Sequence, residues 1–334
     1  MSKQSEYRWM PKRGVDLEAV SRMRAHFRKP LEPMGEAWFM GEQRRMFHEL
    51  MEQPIEEVSV KILSKALTEI SSGIFCFGHR DEWDGWFKYL LPDLIVRSHE
   101  MADYSALLLQ DVVRAFINVY WKGIPQEYAE FREDVINSLS MCLMSADLWF
   151  SYEDEKTKDF YSKFKFQIWT NKRGIRKMNW DAGRADCNLS AMMFFCLKYL
   201  KPQEISSWLH SCISIRDPYW RGALMVWLLG IYDLLHEFVI TPSQIEEAIP
   251  AIWQKSRGLG SGAGSLEASY VLIEKYNDNK EFLPSENIRM FREAVDRWIT
   301  KELILDWKKL FSLDSFLLES TYNVPECLLA KIES

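Results

Sequence analysis

The sequence predicts an all-α protein, and three observations carry this prediction. Apolar residues recur at spacings of three and four along almost the whole chain, which is the period of an amphipathic helix. The composition favours helices over strands, because the 334 residues include only 15 Gly and 12 Pro and are rich in Leu, Met, Glu, Lys and Arg. Prolines stand near the starts of apolar runs, where a first helical turn does not need their missing N–H.

The apolar runs give the helical elements in chain order. Good examples cover residues 58–71, 105–121, 128–149, 188–200, 219–238 and 266–276. The prolines that mark helix starts are Pro54, Pro125, Pro202, Pro218, Pro242 and Pro284. Short polar or Pro/Gly breaks separate the runs, so we expect helices joined by short connections that stack as pairs.

Short sequence matches indicate an internal duplication. The matched segments are Glu69-Ile70-Ser71-Ser72 with Glu204-Ile205-Ser206-Ser207, Arg80-Asp81 with Arg216-Asp217, and His99-Glu100 with His236-Glu237. They occur in the same order, and they predict that residues 55–145 and 190–280 are related helical arrays. Chance matching in a helix-rich chain is the alternative.

The stretch 217–230 resembles the second half of a HEAT-type helical repeat. It begins with Asp217-Pro218, continues with an apolar residue and Arg221, and closes on Leu229-Gly230. Residues 111–116 match the same pattern less well. In that family the Asp and the Arg tie neighbouring repeats together, so the resemblance implies that Asp217 and Arg221 are scaffold residues. It also implies a right-handed α-solenoid of stacked antiparallel helix pairs (HEAT/armadillo-like), with a concave surface for partners.

We therefore expect one helical-repeat domain over residues 1–334. Its parts are a basic N-terminal segment, a first helical array, a basic and aromatic-rich connector, and a second helical array. Their ranges are 1–30, 31–150, 151–187 and 188–334.

Charge is distributed unevenly along the chain, whose net charge is −6. Residues 1–30 carry eight basic side chains against three acidic ones, and residues 156–184 carry nine against two. The remaining residues therefore have a net charge of −18. The pattern indicates an acidic body with two basic segments.

The connector is the candidate binding site, for another protein or for a polyanion. Basic groups attract phosphates or carboxylates, and aromatic faces stack on bases. The structural alternative is a solvated helix face with a loop at 170–174, whose charge partners the acidic body. Periodicity leaves helix and hairpin both open near 160–180. The candidate residues are Lys163, Lys165, Trp169, Lys172, Arg173, Arg176, Lys177, Trp180 and Arg184.

The sequence predicts no catalytic residue, no metal ligand and no cofactor. Asp81 and Asp84 are weak candidates for Mg²⁺ ligands, because residues 277–279 make a poor second acidic motif; acids in a first helical turn are the alternative. The six histidines form no metal-binding pair, and the six cysteines form no C-x-x-C. The glycine-rich run 258–265 lacks the lysine of a phosphate loop.

The sequence also predicts where the protein is located. The apolar stretch 222–232 is too short to span a membrane, and residues 1–9 lack the core of a signal peptide. We therefore expect a cytoplasmic protein with reduced thiols and no membrane contact.

Of fourteen tryptophans, a set on apolar helix faces is expected in the core. That set is Trp83, Trp86, Trp121, Trp149, Trp208, Trp220, Trp227 and Trp253.

Three functional hypotheses follow. The first is a non-enzymatic helical-repeat scaffold that binds another protein, as an adaptor, an inhibitor or an immunity-type partner. The second is nucleic-acid or polyanion binding through residues 156–184 and 1–30, which requires the two segments to converge in space. The third is a helical Mg²⁺-dependent enzyme with an internal apolar pocket.

Overall fold

The computed structural model describes residues 15–34, 47–76, 80–100, 108–120, 122–139, 151–153, 160–162, 166–170, 176–180, 184–216, 218–232, 235, 283–313, 317–318, 321 and 323–333. Its helices are α1 (Leu17–His26), α2 (His48–Glu52), α3 (Val60–Cys76), α4 (Arg80–Glu100), α5 (Leu108–Val119), α6 (Phe131–Leu139), α7 (Arg184–Tyr199), α8 (Pro202–Ile213), α9 (Pro218–Ile231), α10 (Ser285–Trp298), α11 (Lys301–Phe311) and α12 (Val324–Ile332). A short 3₁₀ turn, Ile55–Glu57, precedes α3. These helices confirm the all-α prediction for the body of the chain.

One continuous cluster of buried apolar side chains runs from Val20 in α1 to Leu328 in α12. Removing this apolar surface from water is the main source of the stability of the fold. Among the residues whose burial is described, the largest fully buried side chains are Trp86, Trp208, Trp220, Phe87, Phe116, Phe131, Phe195, Phe291 and Phe311.

One succession of contacts runs through the helices: α3 packs against α5, α5 against α7, and α7 against α9, which in turn contacts α11 and α12. Outside this succession, α1 packs against both α4 and α6, and α8 packs against α10. From α3 to α9, alternate helices thus lie side by side, whereas α1 lies against helices three and five places further along the chain.

Polar contacts join α6 to α8 and α10 to the end of α7. Arg132 of α6 donates to the Glu204 carboxylate of α8 at 2.9 Å and to the Tyr199 carbonyl at 2.9 Å. The buried amide of Asn287 in α10 donates to the carbonyls of Leu197 and Leu200 at 2.7 and 2.9 Å. Because these bonds satisfy carbonyls at the end of α7, they fix where that helix stops.

A four-stranded antiparallel sheet interrupts the helices. Its strands are β1 (Ser151–Glu153), β2 (Phe160–Ser162), β3 (Phe166–Thr170) and β4 (Arg176–Trp180), and they lie in chain order. β3 and β4 form a hairpin, one of the two alternatives that periodicity left open. α7 begins at Arg184, inside the range assigned to the connector.

Several predicted helix starts are found, and one is displaced. Pro202 and Pro218 open α8 and α9, and Pro284 immediately precedes α10. Pro125 does not start a helix; residues 122–130 are irregular, and α6 begins at Phe131. Gly123, within this stretch, has a φ of 130°, a conformation that side-chain-bearing residues rarely adopt.

The tryptophan prediction is confirmed for the five members of the core set whose burial is described. Trp83, Trp86, Trp208, Trp220 and Trp227 are all buried. The other three members, at 121, 149 and 253, lie outside the described residues. The Trp220 indole donates to the Cys212 carbonyl at 2.8 Å, so this buried N–H is satisfied.

The proposed duplication stays a prediction. α3 packs chiefly against α5 and also against α4, and α8, which carries the matching sequence, packs chiefly against α10.

Arg221 makes scaffold contacts. Its Nε donates to the Ile215 carbonyl at 2.8 Å, and its guanidinium lies 5.6 Å from the centre of the Trp307 ring in α11. The residue thereby links the start of α9 to α11. Asp217 lies outside the described residues.

Candidate interaction surface

The nine candidate residues of the connector are only partly placed. Lys163, Lys165, Lys172 and Arg173 lie outside the described residues. Trp169 belongs to β3, and Arg184 is the first residue of α7. The other three, Arg176, Lys177 and Trp180, belong to β4.

The register of the hairpin brings basic and aromatic positions together. Trp169 in β3 is paired with Lys177 in β4, and Thr170 is paired with Arg176. Trp180 is paired with Phe166 at the other end of the same ladder. Four of the nine candidates therefore lie within one short β-hairpin, between the helices that precede and follow the connector.

The described part of the basic N-terminal segment contacts helices of the body. Arg22 of α1 forms a bidentate ion pair with Asp134 of α6, with Nη2–Oδ1 at 2.6 Å and Nε–Oδ2 at 2.9 Å. The Tyr128 hydroxyl donates to the same carboxylate at 2.8 Å. Asp134 is only 2% exposed, so three charge-assisted hydrogen bonds compensate its burial.

A second arginine of α1 makes an equivalent contact with α4. The Arg24 guanidinium donates through Nε and Nη2 to Asp93, which is 5% exposed. Lys29, just beyond the helix, donates to the Met51 carbonyl at 2.8 Å. At least three basic groups of residues 1–30 therefore serve contacts within the chain.

Aromatic packing supports these ion pairs. His26 and Phe27 lie against the Tyr128 ring, with ring centroids 4.9 and 6.3 Å apart, and Phe27 meets Phe131 edge to face at 5.5 Å. The Trp86 indole donates to the Glu32 carbonyl at 3.1 Å. The segment that follows α1 is thus also bound to α4.

Electrostatics agree with a structural role for this cluster. The hydrogen bond to Asp134 raises the pKa of Arg22, so its positive charge is held. Burial, with the hydrogen bond to Asp134, raises the pKa of the Tyr128 hydroxyl and keeps it neutral. Neither group is tuned for proton transfer near neutral pH.

A third polar cluster contains one of the two aspartates considered as Mg²⁺ ligands. Asp84 forms an ion pair with Lys88 at 2.8 Å, and Lys88 also contacts Glu127 at 2.7 Å. Burial opposes the charge of Lys88, but hydrogen bonds to both acids outweigh it and raise its pKa. Asp81 is exposed in the first turn of α4, where the helix dipole favours an acid.

The described part of the chain holds no group of three or more His, Cys, Asp or Glu that is arranged for a metal ion. Residues 277–279 and the glycine-rich run 258–265 lie outside that part.

Near the Lys88 cluster, burial raises the pKa of Tyr120, whose hydroxyl has no hydrogen-bond partner among the described residues. Burial likewise raises the pKa of the Cys212 thiol, which keeps it protonated.

Sequence reasoning missed the acids that receive the arginines of α1. Asp93 and Asp134 are separated from their partners by 69 and 112 residues, so no local spacing reveals the pairs. The available signal was the excess of basic residues in 1–30 on an otherwise acidic chain. It indicated charge complementarity without locating the carboxylates.

Comparison with models of known families, with curated proteins and with solved structures found no significant match. Across the described ranges, no helix combines the length and the apolarity that crossing a bilayer requires. The functional argument therefore depends on the arrangement of this chain's own residues.

Proposed function

We propose that this protein is a non-enzymatic helical-repeat scaffold that binds another protein through its basic connector, as an adaptor or an inhibitor. The observation that carries the proposal is the position of the hairpin β3–β4. In chain order it lies between α6 and α7, and it belongs to a segment with strong positive charge in an otherwise acidic chain. An acidic protein surface is the complementary partner.

The packing of the helices supports a solenoid as the scaffold. In a solenoid, alternate helices form two layers, and each repeat contacts its neighbours. The successive contacts of α3, α5, α7 and α9 fit one such layer. The last helices suit an end of the array, because α11 presents Lys301, Lys308 and Lys309 to solvent.

Nucleic-acid binding is the second candidate, and the contacts of α1 weigh against its two-segment form. That form needs the charges of residues 1–30 to face a ligand, but Arg22, Arg24 and Lys29 bind groups within the chain. Fluorescence anisotropy with DNA and RNA duplexes at two salt concentrations tests it. Binding that weakens with salt would favour nucleic acid, because phosphate contacts release counterions.

The enzyme hypothesis gains no support from the described acids. Asp84 is neutralised by Lys88, and Asp81 points to solvent. We therefore do not assign a reaction to this protein.

Protein capture from nuclease-treated native lysate tests the leading proposal. The test variant replaces Lys172, Arg173, Arg176 and Lys177 with Gln, which removes four positive charges from the connector. We expect a protein partner that the unchanged chain retains and that this variant loses.

A matched variant controls for the overall change of charge. It replaces Arg289, Lys301, Lys308 and Lys309 with Gln, all of which have exposed side chains on α10 and α11. The partner should remain bound to this control. Equal recovery by both variants would show that the connector does not bind it.

A further inference from the structure

The register of the four-stranded sheet divides its residues between two chemically different faces. Successive residues of a strand belong to opposite faces, and residues paired across strands belong to the same face. Phe160 is paired with Ile168, and Ile168 with Met178, so these three positions share one face. Phe166 and Trp180 are paired two residues further along and belong to it as well. We call this the apolar face; its other positions are polar and stand at strand ends.

The opposite face has a different composition. One row of paired positions crosses all four strands and consists of Tyr152, Tyr161, Gln167 and Asn179. The neighbouring pair on this face is Trp169 with Lys177. Three of these residues are aromatic, two are amides and one is cationic, and none is an aliphatic residue. We call these six positions the aromatic face.

The three aromatic positions of this face are neighbours. Tyr152 and Tyr161 stand directly opposite each other, a relation that separates Cβ atoms by about 5 Å. Trp169 is diagonal to Tyr161, because it stands two residues beyond Gln167, and diagonal positions are roughly 7–8 Å apart. The aromatic positions therefore form one contiguous group across β1, β2 and β3.

The compositions of the two faces indicate which one is available to a partner. An antiparallel sheet commonly packs one face against a core and leaves the other to solvent. The apolar face gains more from packing, because removing apolar surface from water is favourable. The aromatic face is then the one that remains for a ligand, and contiguous aromatic groups on a solvated face mark interaction sites.

The residues of the aromatic face are those that recognise proteins. Tyr and Trp provide large contact areas at a small entropic cost, and amides provide adaptable hydrogen bonds. A nucleic-acid strand requires several cations for its phosphates, whereas Lys177 is the one cation among the six positions. Lys177 belongs to β4, at an edge of the sheet, which suits a charged contact at the rim of an interface. An acidic protein surface therefore fits this face better than a nucleic acid does.

We propose that the aromatic face is the docking site for an acidic protein partner, with Tyr161 and Trp169 at its centre and Lys177 at its rim. This proposal rests on the protein-binding function proposed above and assigns that function to one face of the sheet. It also divides the residues of the hairpin. Trp169 and Lys177 belong to the docking site, whereas Arg176 and Trp180 stand on the apolar face.

Hydroxyl-radical footprinting of the full chain tests the assignment of the two faces without a partner. Trp169 and Trp180 have the same intrinsic reactivity, so their rates of oxidation compare the accessibility of the two faces. We expect Trp169 to be oxidised faster than Trp180. Equal rates, or faster oxidation of Trp180, would overturn the proposal, because the aromatic face would then not be the accessible one.

Matched substitutions on the two faces test docking. The probe is the protein that the unchanged chain captures from lysate, purified and titrated against each full-length variant. Trp169→Leu should weaken binding at least about tenfold, whereas Trp180→Leu should change it by less than about twofold, because central aromatic contacts dominate an interface. Lys177→Gln should weaken binding about threefold, as a rim charge does. Arg176→Gln removes the same charge from the adjacent position on the other face and should leave the affinity unchanged.

The outcomes separate this proposal from the function on which it rests. Equal losses within both matched pairs would overturn the docking face, whereas loss of the partner from the four-residue connector variant would still support protein binding. Capture of no protein by the unchanged chain would reject both. Salt-dependent binding of single-stranded DNA or RNA that Trp169→Leu abolishes would overturn the proposal in favour of a nucleic-acid ligand. If circular dichroism shows that Trp180→Leu disrupts the fold, the pair Lys177→Gln and Arg176→Gln decides together with the footprint.

Discussion

The ion pairs of α1 and those of α10 to α12 use the same chemistry in different surroundings. At α1, half-exposed arginines meet carboxylates that are buried between helices. At the other end of the chain, Arg289 contacts Glu286 and Glu293 at 2.6 Å, and Lys301 contacts Glu333 at 2.7 Å. Both partners in these C-terminal pairs are about half exposed.

The difference shows that the burial of the acid decides what a pair contributes. A half-exposed carboxylate that loses its cation is solvated by water, so surface pairs contribute little to stability. A buried carboxylate that loses its cation cannot be solvated in this way. The pairs at α1 therefore fix the position of a helix, whereas the C-terminal pairs lie on the surface and contribute little to stability.

The largest effect is expected for Arg24→Met. The substitution keeps most of the apolar stem but leaves Asp93 buried without its cation. We expect the free energy of unfolding to fall by about 1–3 kcal/mol, as for other buried groups that lose a charged partner. Urea denaturation followed by circular dichroism measures this. An unchanged midpoint would mean that water reaches Asp93 and that the contrast between the two regions is wrong.

A smaller effect is expected for Asp134→Asn. The amide oxygen can still accept from the Tyr128 hydroxyl and Arg22 Nε, but the amide NH2 takes the place of Oδ1 and cannot accept from Arg22 Nη2, so one hydrogen bond is lost together with the charge. The free energy of unfolding should fall by about 1 kcal/mol. The same urea titration measures it, with Asp306→Asn on the exposed face of α11 as the matched control. A loss as small as that of the control would show that the charge of Asp134 is not needed.

The pair between Lys308 and Glu326 should show a weak dependence on pH. The hydrogen bond from Lys308 lowers the pKa of Glu326 below its ordinary value of 4.5. A lowered pKa in the folded state adds stability that is fully present above about pH 4.5, and this stability is lost as the pH falls through the lowered pKa.

Glu326→Gln should therefore reduce stability by no more than about 0.5 kcal/mol at neutral pH, and by nothing at pH 2. Melting curves at both pH values, with and without 1 M salt, measure the difference. A larger loss of stability, or a loss that salt does not reduce, would show that this pair contributes to stability as the pairs of α1 do.

The smallest effect is expected for Arg289→Met. Its hydrogen bond lowers the pKa of Glu286, but both side chains face solvent. We expect no measurable change in the melting temperature at neutral pH. A loss comparable with that of Arg24→Met would remove the distinction between the two regions.

Much of the fold could be predicted from the sequence, because helix formation is controlled by local patterns. The spacing of apolar residues located five of the twelve described helices, namely α3, α5, α6, α7 and α9, and prolines marked the starts of α8 and α9. The place of α1 could not be predicted in this way. It depends on two acids more than 60 residues away, and the sequence gives no separate sign that Asp93 and Asp134 are buried.

The sequence predicted which residues belong to the candidate site, but not their secondary structure. The connector fits a helix and a strand alike. Phe160, Phe164 and Ile168 have the four-residue spacing of a helix face, whereas Phe164, Phe166 and Ile168 alternate as the residues of a strand do. Backbone pairing between β3 and β4 resolves this ambiguity. Pairing of strands is a non-local property, so periodicity within one segment does not determine it.

Partner recovery by the two four-residue variants tests the central claim most directly. The connector variant and the α10–α11 variant lose the same charge, so the ratio of partner captured isolates the role of the connector. We expect the connector variant to retain at least about tenfold less partner than the control, because several complementary charges act together at one interface. A ratio near one would contradict the proposed function.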